Sequence, residues 1–286
     1  MDFIRSVQRD VGPAATFGRI GRLVRRTGAP GVAHSPTVSR VASGWLWRAA
    51  YRRAVTAAFR TVPLYRERWA LDGRTDPVLV PGRTGVDGGA VPAAEAQRRL
   101  GDLVPLAGGS REVDPLRGLG PVLAMDRLVG RGDLVVVLDD ERPGELAGLP
   151  VGVRGRVRRV DELGSAADTA KRAAVVVGSA EQLGRMPDEP RARLRIVPRL
   201  ELADLTDADG ERGLLHDHQL GFLGALRRCG GWHLDWPRVY ARETDAGLAM
   251  TLLWQRSPCF VDVLVGGGVK GVVASCPTHG TPVVRT

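Results

Sequence analysis

The sequence predicts an α/β fold in which a parallel sheet with crossover helices is followed by a strand-rich C-terminal hairpin region and preceded by a helical N-terminal arm. Three observations predict it: helical periodicity in an arginine-rich start, continuous apolar runs alternating with helical segments, and alternating apolar residues after Trp232. We expect a basic arm over residues 1–75, an α/β core over 76–228, and a β-hairpin region over 229–286 packed on that core.

The N-terminal arm carries the excess positive charge of the chain. Residues 1–75 hold fourteen arginines and four acidic residues, whereas the whole chain has a net charge of +9. Helical spacing of apolar residues predicts one helix over Phe17–Val24 and another over Val41–Arg60. A basic amphipathic helix suits an anionic membrane, a nucleic acid or a protein partner, and it suits equally an ordinary docking helix with a solvated arginine face.

Arginine is not by itself a sign of phosphate recognition in this chain. Lys171 and Lys270 are the only lysines among 41 basic residues, a bias expected of a GC-rich coding sequence. We therefore interpret the arm as helices that dock on the protein in preference to a site for nucleic acid.

The middle of the chain predicts strands buried on both faces. Residues 72–120 are rich in Gly, Pro and Asp and predict loops around one helix near Ala93–Leu103. Beyond them, continuous apolar runs predict strands and the segments between them predict helices. The strands are Leu134–Leu138, Ala173–Val177 and Leu194–Val197, and the helices are Ser165–Arg172 and Ala180–Met186. Parallel sheets bind ligands beyond the carboxyl ends of their strands, where Asp139, Asp140, Gly178 and Ser179 fall, although such residues also form turns.

Alternation of apolar and polar residues predicts two hairpins near the C-terminus. The first joins Val239–Ala241 to Leu248–Leu252 through Asp245–Gly247, and the second joins Phe260–Val265 to Val269–Ala274 through Gly266–Gly268.

Two short-spaced pairs flank these hairpins, Cys229 with His233 and Cys276 with His279. Thiolates and imidazoles are the ligands that zinc prefers, and paired ligands on turns are the usual way to assemble a structural tetrahedral site. The alternative is that these residues simply pack in the core. Cys259 lies outside both pairs and is expected to pack.

His216 and His218 also have a spacing that suits a metal or a general base on a strand. We expect instead that they occupy a solvent-exposed turn around Asp217.

Composition restricts the class of protein. With 286 residues the chain suffices for one large domain or two smaller ones, and three cysteines cannot form a disulfide framework. No apolar run approaches the roughly 18 to 20 residues of a transmembrane helix, and no signal peptide is recognised. The expected location is the cytoplasm.

Several segments resemble the phenylacetate-CoA ligase branch of the adenylate-forming enzymes, which includes the coenzyme F synthetases. The segments are Cys229–His233, Val239–Glu243, Gly247–Leu253, Ser257–Pro258 and Cys276–Gly280. Weaker similarity is found at Arg60–Arg68 and Val175–Leu183. The resemblance implies a structural zinc at the two pairs, with His279 in place of a usual cysteine.

The resemblance also implies a chemistry, in which ATP and magnesium activate a small carboxylate as an acyl-adenylate that passes to a thiol or an amine. Possible nucleotide-binding positions are Ser179, Gly221, Gly224 and Asp262. The sequence departs from the family at the groups this chemistry needs. The loop Pro105–Ser110 lacks the family's phosphate-binding pattern, and the magnesium-binding glutamate is missing after His218.

Two further departures concern the ribose and the α-phosphate. Asp262 lies closer to Pro258 than the ribose aspartate of the family does. The sequence ends seven residues after His279, so we expect no catalytic lysine from a following domain, and neither Lys171 nor Lys270 is an obvious replacement. No catalytic residue is identified.

Three functions remain open from the sequence. The first is a shortened ligase-like enzyme of bacterial specialised metabolism that acts on a small or carrier-bound carboxylate. The second is a catalytically inactive relative that serves as partner or scaffold for a ligase or carrier protein. The third is nucleic-acid or membrane-surface binding through the basic arm, which would depend steeply on salt.

Overall fold

A computed structural model describes residues 36–70, 86–114, 116–125, 128–129, 133–139, 144–145, 156–160, 173–205 and 212–286. The helices predicted at Phe17–Val24 and Ser165–Arg172, together with Asp140 and Lys171, lie outside these residues.

The described residues form a mixed α/β fold dominated by one large sheet. The α-helices are α1 (Pro36–Thr61), α2 (Pro63–Ala70), α3 (Ala93–Arg98), α4 (Leu119–Met125), α5 (Ala180–Gly184) and α6 (Asp188–Arg193). Short 3-10 helices cover Val86–Gly89, Leu100–Leu103 and Leu202–Asp204.

The strands fall into the order β1 (Leu134–Leu138), β2 (Gly144–Glu145), β3 (Arg156–Val160), β4 (Ala173–Gly178), β5 (Arg195–Glu201), β6 (Gly213–Asp217), β7 (Gly221–Leu226), β8 (Trp232–Leu234), β9 (Val239–Thr244), β10 (Gly247–Leu252), β11 (Val263–Leu264), β12 (Val272–Ser275) and β13 (Pro282–Arg285).

Ten of these strands form one sheet, in the order β12-β13-β8-β7-β6-β5-β4-β1-β3-β2. The five strands from β6 to β3 in that order run parallel, and β2 and the four strands beyond β6 are antiparallel to their neighbours. The predicted parallel sheet is thus confirmed at the centre of the sheet. The strands of the C-terminal region extend this sheet directly, because β8, β13 and β12 continue it beyond β7.

The central strands form because their side chains are buried on both faces. Val135, Val137, Val175 and Val177 pack on the face that holds α4, whereas the intervening valines face the side of α5. Continuous apolar runs are typical of such strands. Strand β3 was not predicted. Its sequence is Arg-Val-Arg-Arg-Val, so arginines outnumber the apolar residues, and only its pairing with β1 identifies it as a strand.

A second, three-stranded sheet contains the first predicted hairpin. Strands β9 and β10 pair in register across Asp245 and Ala246, and β11 pairs with β10. The second predicted hairpin is wrong. Strand β12 does not pair with β11 but with β13 in the large sheet. Gly266–Gly268, all with positive φ, carry the chain from one sheet to the other instead of closing a hairpin.

Helix α1 packs two of its aromatic side chains, Trp47 and Tyr51, on the three-stranded sheet. Tyr51 stacks on Tyr240 with 4.1 Å between ring centroids, and the indole N–H of Trp47 donates to the carbonyl of Val239 at 2.8 Å. Arg48 remains exposed beside them. The apolar stripe with neighbouring arginines that was predicted for this helix is therefore confirmed at Trp47 and Tyr51, and these two rings are engaged inside the protein. No helix in the described ranges is long and apolar enough to cross a bilayer.

The exposed turn predicted for His216 and His218 is wrong for the first of them. His216 lies on β6 and is 4 % exposed, whereas His218 lies in the turn that follows and binds Glu201 at 2.8 Å. Strand β6 escaped prediction because Gly213–Asp217 is a short run that ends in polar residues. The two rings lie edge to face, with 5.8 Å between their centroids.

Candidate metal centre

The sheet register brings the two Cys/His pairs together. His233 on β8 pairs with Val283 on β13, and Pro282 at the start of β13 pairs with Ser275 at the end of β12. The turn between β12 and β13 therefore lies against β8. This juxtaposition places the second pair of candidate ligands over the first.

A tight turn holds Cys229 just before β8, and a second tight turn holds Cys276 and His279. In the first, the N–H of Gly230 bonds the carbonyl of Arg227, and Gly230 has φ of 74°. In the second, the N–H of Gly280 bonds the carbonyl of Cys276 at 2.8 Å, and Gly280 has φ of 66°. Glycine is needed at both positions because other residues rarely adopt the left-handed region.

The four candidate ligand atoms converge on one point. One ligand atom each from Cys229, His233, Cys276 and His279 lies within 4.8 Å of all the others. The two sulfurs are 3.8 Å apart, and the Cys229 sulfur lies 3.0 Å from Nε2 of His233. Two thiolates bound to one tetrahedral zinc lie roughly 3.8 Å apart, given Zn–S bonds of about 2.3 Å. The donor set and spacing fit a Cys2His2 zinc site.

A hydrogen bond orients the buried histidine of the cluster. Nδ1 of His233 lies 2.7 Å from the hydroxyl oxygen of Thr281, which leaves Nε2 facing the sulfur of Cys229. The carbonyl of Thr281 also accepts from the N–H of Cys276 at 2.9 Å. Thr281 thus contacts both halves of the site, as outer partners of metal ligands commonly do. Sequence spacing gave no signal for it.

The two thiols have opposite tendencies to ionise. Burial raises the pKa of Cys229. Burial also opposes ionisation of Cys276, but hydrogen bonds from the backbone N–H groups of His279 and Thr278 outweigh it and lower its pKa. Cys276 is therefore the first of the pair to become the thiolate that zinc requires. Cys259 lies apart from the cluster, and burial raises its pKa to about 11.

The residues predicted for nucleotide binding lie far apart in the sheets. Ser179 follows β4 and caps α5: its hydroxyl accepts from the N–H of Gln182 at 3.2 Å, and the Gln182 side chain accepts from its N–H. Gly221 and Gly224 lie on β7, three strands away in the sheet. A Cβ on Gly221 would overlap the carbonyl of Arg117, and one on Gly224 would overlap that of His233.

Asp262 has the most specific surroundings of these four residues. It is 2 % exposed and adopts φ of 52° just before β11. One carboxylate oxygen accepts from Tyr51 at 2.7 Å and from Arg242 at 3.0 Å, and the other accepts from Thr251 at 3.3 Å. The buried carboxylate is thus paired and hydrogen-bonded, as buried charges must be. The sequence resemblance pointed to Asp262 but not to Tyr51 or Arg242.

The loop Pro105–Ser110, which lacks the family's phosphate-binding pattern, packs against the loop that contains Ser257. The hydroxyl of Ser257 donates to the carbonyl of Ser110 at 2.6 Å, and a Cβ on Gly109 would overlap the Ser257 side chain. Gly109 therefore serves a close contact between the two loops.

No protein family and no curated protein matches this sequence. Solved structures do match. An open conformation of 2-hydroxyisobutyryl-CoA ligase, in complex with 2-HIB-AMP and CoA, matches with a TM-score of 0.56 and 13% identity over 83% of this chain and 72% of that one. The same ligase in its thioesterification state matches with a TM-score of 0.54 and 13% identity, over 84% of this chain and 66% of that one.

A third structure of this ligase, in the postadenylation state with R3-HIB-AMP, matches with a TM-score of 0.55 and 12% identity over 84% of this chain and 65% of that one. At such identity the likeness concerns the fold. The resemblance to the phenylacetate-CoA ligase branch stays a prediction. The chain therefore has the fold of an adenylate-forming acyl-CoA ligase, over about two thirds of the length of such an enzyme.

Proposed function

We propose that this protein is a non-adenylating relative of the acyl-CoA ligases, which keeps their fold and a structural zinc at Cys229, His233, Cys276 and His279 and serves a ligase or a carrier protein as a partner. The observation that carries the proposal is the engagement of Asp262. Both of its carboxylate oxygens are already bound inside the protein, so a ribose could bind there only by displacing Tyr51 or its neighbours.

The two glycines support the same conclusion. A nucleotide phosphate needs open backbone N–H groups in front of it. The N–H of Phe222, next to Gly221, donates instead to the carbonyl of Arg117 at 2.7 Å, and Gly224 packs directly on the backbone of β8. These positions hold the sheet together, which accounts for the glycines without a ligand.

A surface on α1 supports a role as partner. Trp45 is 66% exposed and Leu46 is 48% exposed, and the arginines Arg48, Arg52 and Arg53 are exposed on the same helix. Exposed aromatic and arginine side chains are enriched where proteins bind one another. The positive charge would favour an acidic partner.

A second candidate is an active ligase-like enzyme of bacterial specialised metabolism that uses ATP and magnesium to activate a small carboxylate. The match to acyl-CoA ligase structures over more than four fifths of this chain favours it. In that case the nucleotide would bind outside the four positions discussed above.

Calorimetry on protein of known zinc content separates the two candidates. ATP and AMP with magnesium are titrated separately, and pyrophosphate release is followed with a panel of small carboxylates with and without CoA. The non-adenylating relative binds neither nucleotide and releases no pyrophosphate while holding one zinc per chain. Carboxylate-dependent pyrophosphate release would overturn the proposal in favour of the enzyme. Zinc content, measured in the same sample, shows that a negative result comes from folded protein.

A further inference from the structure

The outer edge of strand β9 directs main-chain groups away from its sheet. β9 is the last strand of the three-stranded sheet and pairs with β10 along one edge only. Leu248 of β10, which lies opposite Glu243, accepts from the N–H of Val265 and therefore bonds away from β9. Because the residue pairs of an antiparallel ladder alternate between bonded and non-bonded, Ala241 and Glu243 turn their N–H and carbonyl groups outward.

This edge is engaged where β9 begins and open further along. The carbonyl of Val239 accepts from the indole N–H of Trp47, and the N–H of Val239 donates to the carbonyl of Asp235. Within the described ranges, the outward N–H and carbonyl of Ala241 meet no such partner, although Ala241 is only 2 % exposed. Buried main-chain groups are almost always hydrogen-bonded, so this position calls for a partner from outside.

A groove of about 370 Å³ gives access to this edge. Helix α1 forms one wall through Gly44, Trp47 and Arg48, and β12 with the turn after it forms the other. The volume falls within the range of about 300 to 1,000 Å³ that is usual for binding sites. A strand rises about 3.3 Å per residue, so three residues of an extended segment match the stretch from Ala241 to Glu243.

The wall opposite β9 is also the edge of a strand. β12 ends the ten-stranded sheet, and the N–H of Cys276 after it bonds the carbonyl of Thr281. By alternation, Val273 and Ser275 face outward, and the N–H of Val273 donates to the carboxylate of Glu243 at 2.8 Å. The two sheets thus meet here through a side chain, and their main chains leave room between them for a third segment.

The exposed charge at the groove is positive. Arg48 and Arg52 lie four residues apart on α1, and both are exposed. The other charged side chains that line the groove are already engaged, since Arg242 pairs with Asp262 at 3.0 Å and Glu243 accepts from β12. An acidic residue that enters along α1 would therefore meet two guanidinium groups.

An aromatic surface lies between these arginines and the edge of β9. The rings of Trp47 and Tyr240 are 4.4 Å apart at their centroids, and both residues line the groove. Such a surface suits an apolar side chain next to the acidic residue.

We propose that the outer edge of β9 receives an extended acidic peptide segment of the partner protein. The segment adds as a strand, and its backbone bonds the N–H and carbonyl of Ala241. Its apolar side chain packs on Trp47 and Tyr240, and its carboxylates face Arg48 and Arg52. In strand addition, main-chain bonds give affinity and side-chain contacts give specificity. The inference rests on the proposed role as a partner and names the segment that the partner would present.

The test follows the fluorescence anisotropy of a labelled peptide, Asp-Glu-Val-Tyr-Val-Thr, as full-length protein is added. The peptide is expected to bind, and added salt should weaken the binding because it screens the exposed charges. A peptide with two lysines in place of the acidic residues is expected to bind at least about tenfold more weakly, since both charge pairs become repulsive.

Methylation of the peptide backbone shows whether a strand is added. Two peptides carry N-methyl groups on alternate residues, one at the odd positions and the other at the even positions. An added strand bonds β9 through the N–H groups of one set only. One peptide is therefore expected to lose at least about tenfold in affinity, and the other to bind nearly as well as the parent.

Two variants place the site on the protein. Ala241→Pro removes the outward N–H without breaking a bond to β10, and proline is tolerated on edge strands, so binding should weaken by at least about threefold. Arg48→Glu puts an acidic residue at the groove and should weaken binding by at least about threefold. The matched control Arg60→Glu alters an exposed arginine about three turns further along the same helix and should bind normally.

Folded wild-type protein that does not bind the acidic peptide would overturn the proposal. Equal binding of the acidic and lysine peptides, equal effects of the two methylation patterns, or equal binding by Arg48→Glu and Arg60→Glu would also overturn it. If Ala241→Pro does not fold, the methylated peptides and Arg48→Glu decide. Pyrophosphate release is measured separately, so a protein that forms adenylates and binds the peptide would refute the non-adenylating role alone.

Discussion

The hydroxyl of Tyr51 donates a hydrogen bond of 2.7 Å to the carboxylate of Asp262, which lies 211 residues later in the sequence. The same carboxylate oxygen is bound by Arg242. The bond joins α1 to the three-stranded sheet at a point where both are buried. The N-terminal helix is thus fixed to the C-terminal part of the chain by a charged group.

Asp262→Asn is expected to destabilise the protein by about 3 kcal/mol, because removing one partner of a buried ion pair leaves the other uncompensated. The guanidinium of Arg242 is only 6 % exposed and would lose its carboxylate. Urea unfolding measures the change in free energy of unfolding. The control is Asp245→Asn in the exposed turn of the same sheet, expected within about 0.5 kcal/mol of wild type. Equal stability of the two variants would show that the ion pair contributes nothing.

Purified protein is expected to contain one zinc per chain. Cys276→Ser should abolish stoichiometric zinc and lower the melting temperature, because a structural site contributes its binding free energy to folding. Plasma mass spectrometry and thermal unfolding measure both effects. Cys259→Ser, a cysteine away from the cluster, serves as the control and should retain zinc. A wild-type protein that is free of zinc, or that joins Cys229 to Cys276 in a disulfide when purified under reducing conditions, would contradict the metal site.

Thr281→Val is expected to weaken zinc binding by about 10-fold to 100-fold while leaving all four ligands in place, as losses of outer partners of metal ligands do. The change removes the hydroxyl that faces Nδ1 of His233 but nearly preserves volume. Competition with a chromogenic chelator measures the affinity. Thr61→Val, at an exposed threonine on α1, is the control. Unchanged affinity in Thr281→Val would mean that His233 is oriented by packing alone.

Gly224→Ala is expected to destabilise the protein by about 1 to 3 kcal/mol, the usual cost of forcing an extra methyl group into a packed region. The added Cβ would meet the carbonyl of His233, which is backbone and cannot rotate away. Because His233 is a candidate ligand, zinc affinity should fall as well. In the control Gly184→Ala, nothing lies within 4 Å of the added Cβ, and stability should not decrease. A stable Gly224→Ala variant with normal zinc affinity would contradict the close approach of β7 and β8.

The central strands and the metal cluster could be predicted because their signals are local. Strand β1 has the predicted bounds, since an apolar run of five residues says where a buried strand lies. The ligands of the cluster come in two pairs of three- and four-residue spacing, which a tight turn can serve. The pairing of β12 could not be predicted, because Val272–Ser275 fits β11 and β13 equally well by its own pattern.

Residues whose role depends on the tertiary fold could not be identified from the sequence. Thr281 matters because β13 lies beside β8, and Tyr51 matters because α1 crosses the three-stranded sheet.

Strand β13 lies between β8 and β12, and this order affects how the chain folds as it is synthesised. Strands β8 and β12 leave the ribosome before Pro282–Arg285 does, yet neither pairs with the other. Until β13 has been synthesised, the edge of β8 that β13 covers and the facing edge of β12 have no partner, and the two Cys/His pairs are not held against each other. Zinc captured early by either Cys/His pair would protect the nascent thiols, and insertion of β13 would then complete both the sheet and the coordination shell.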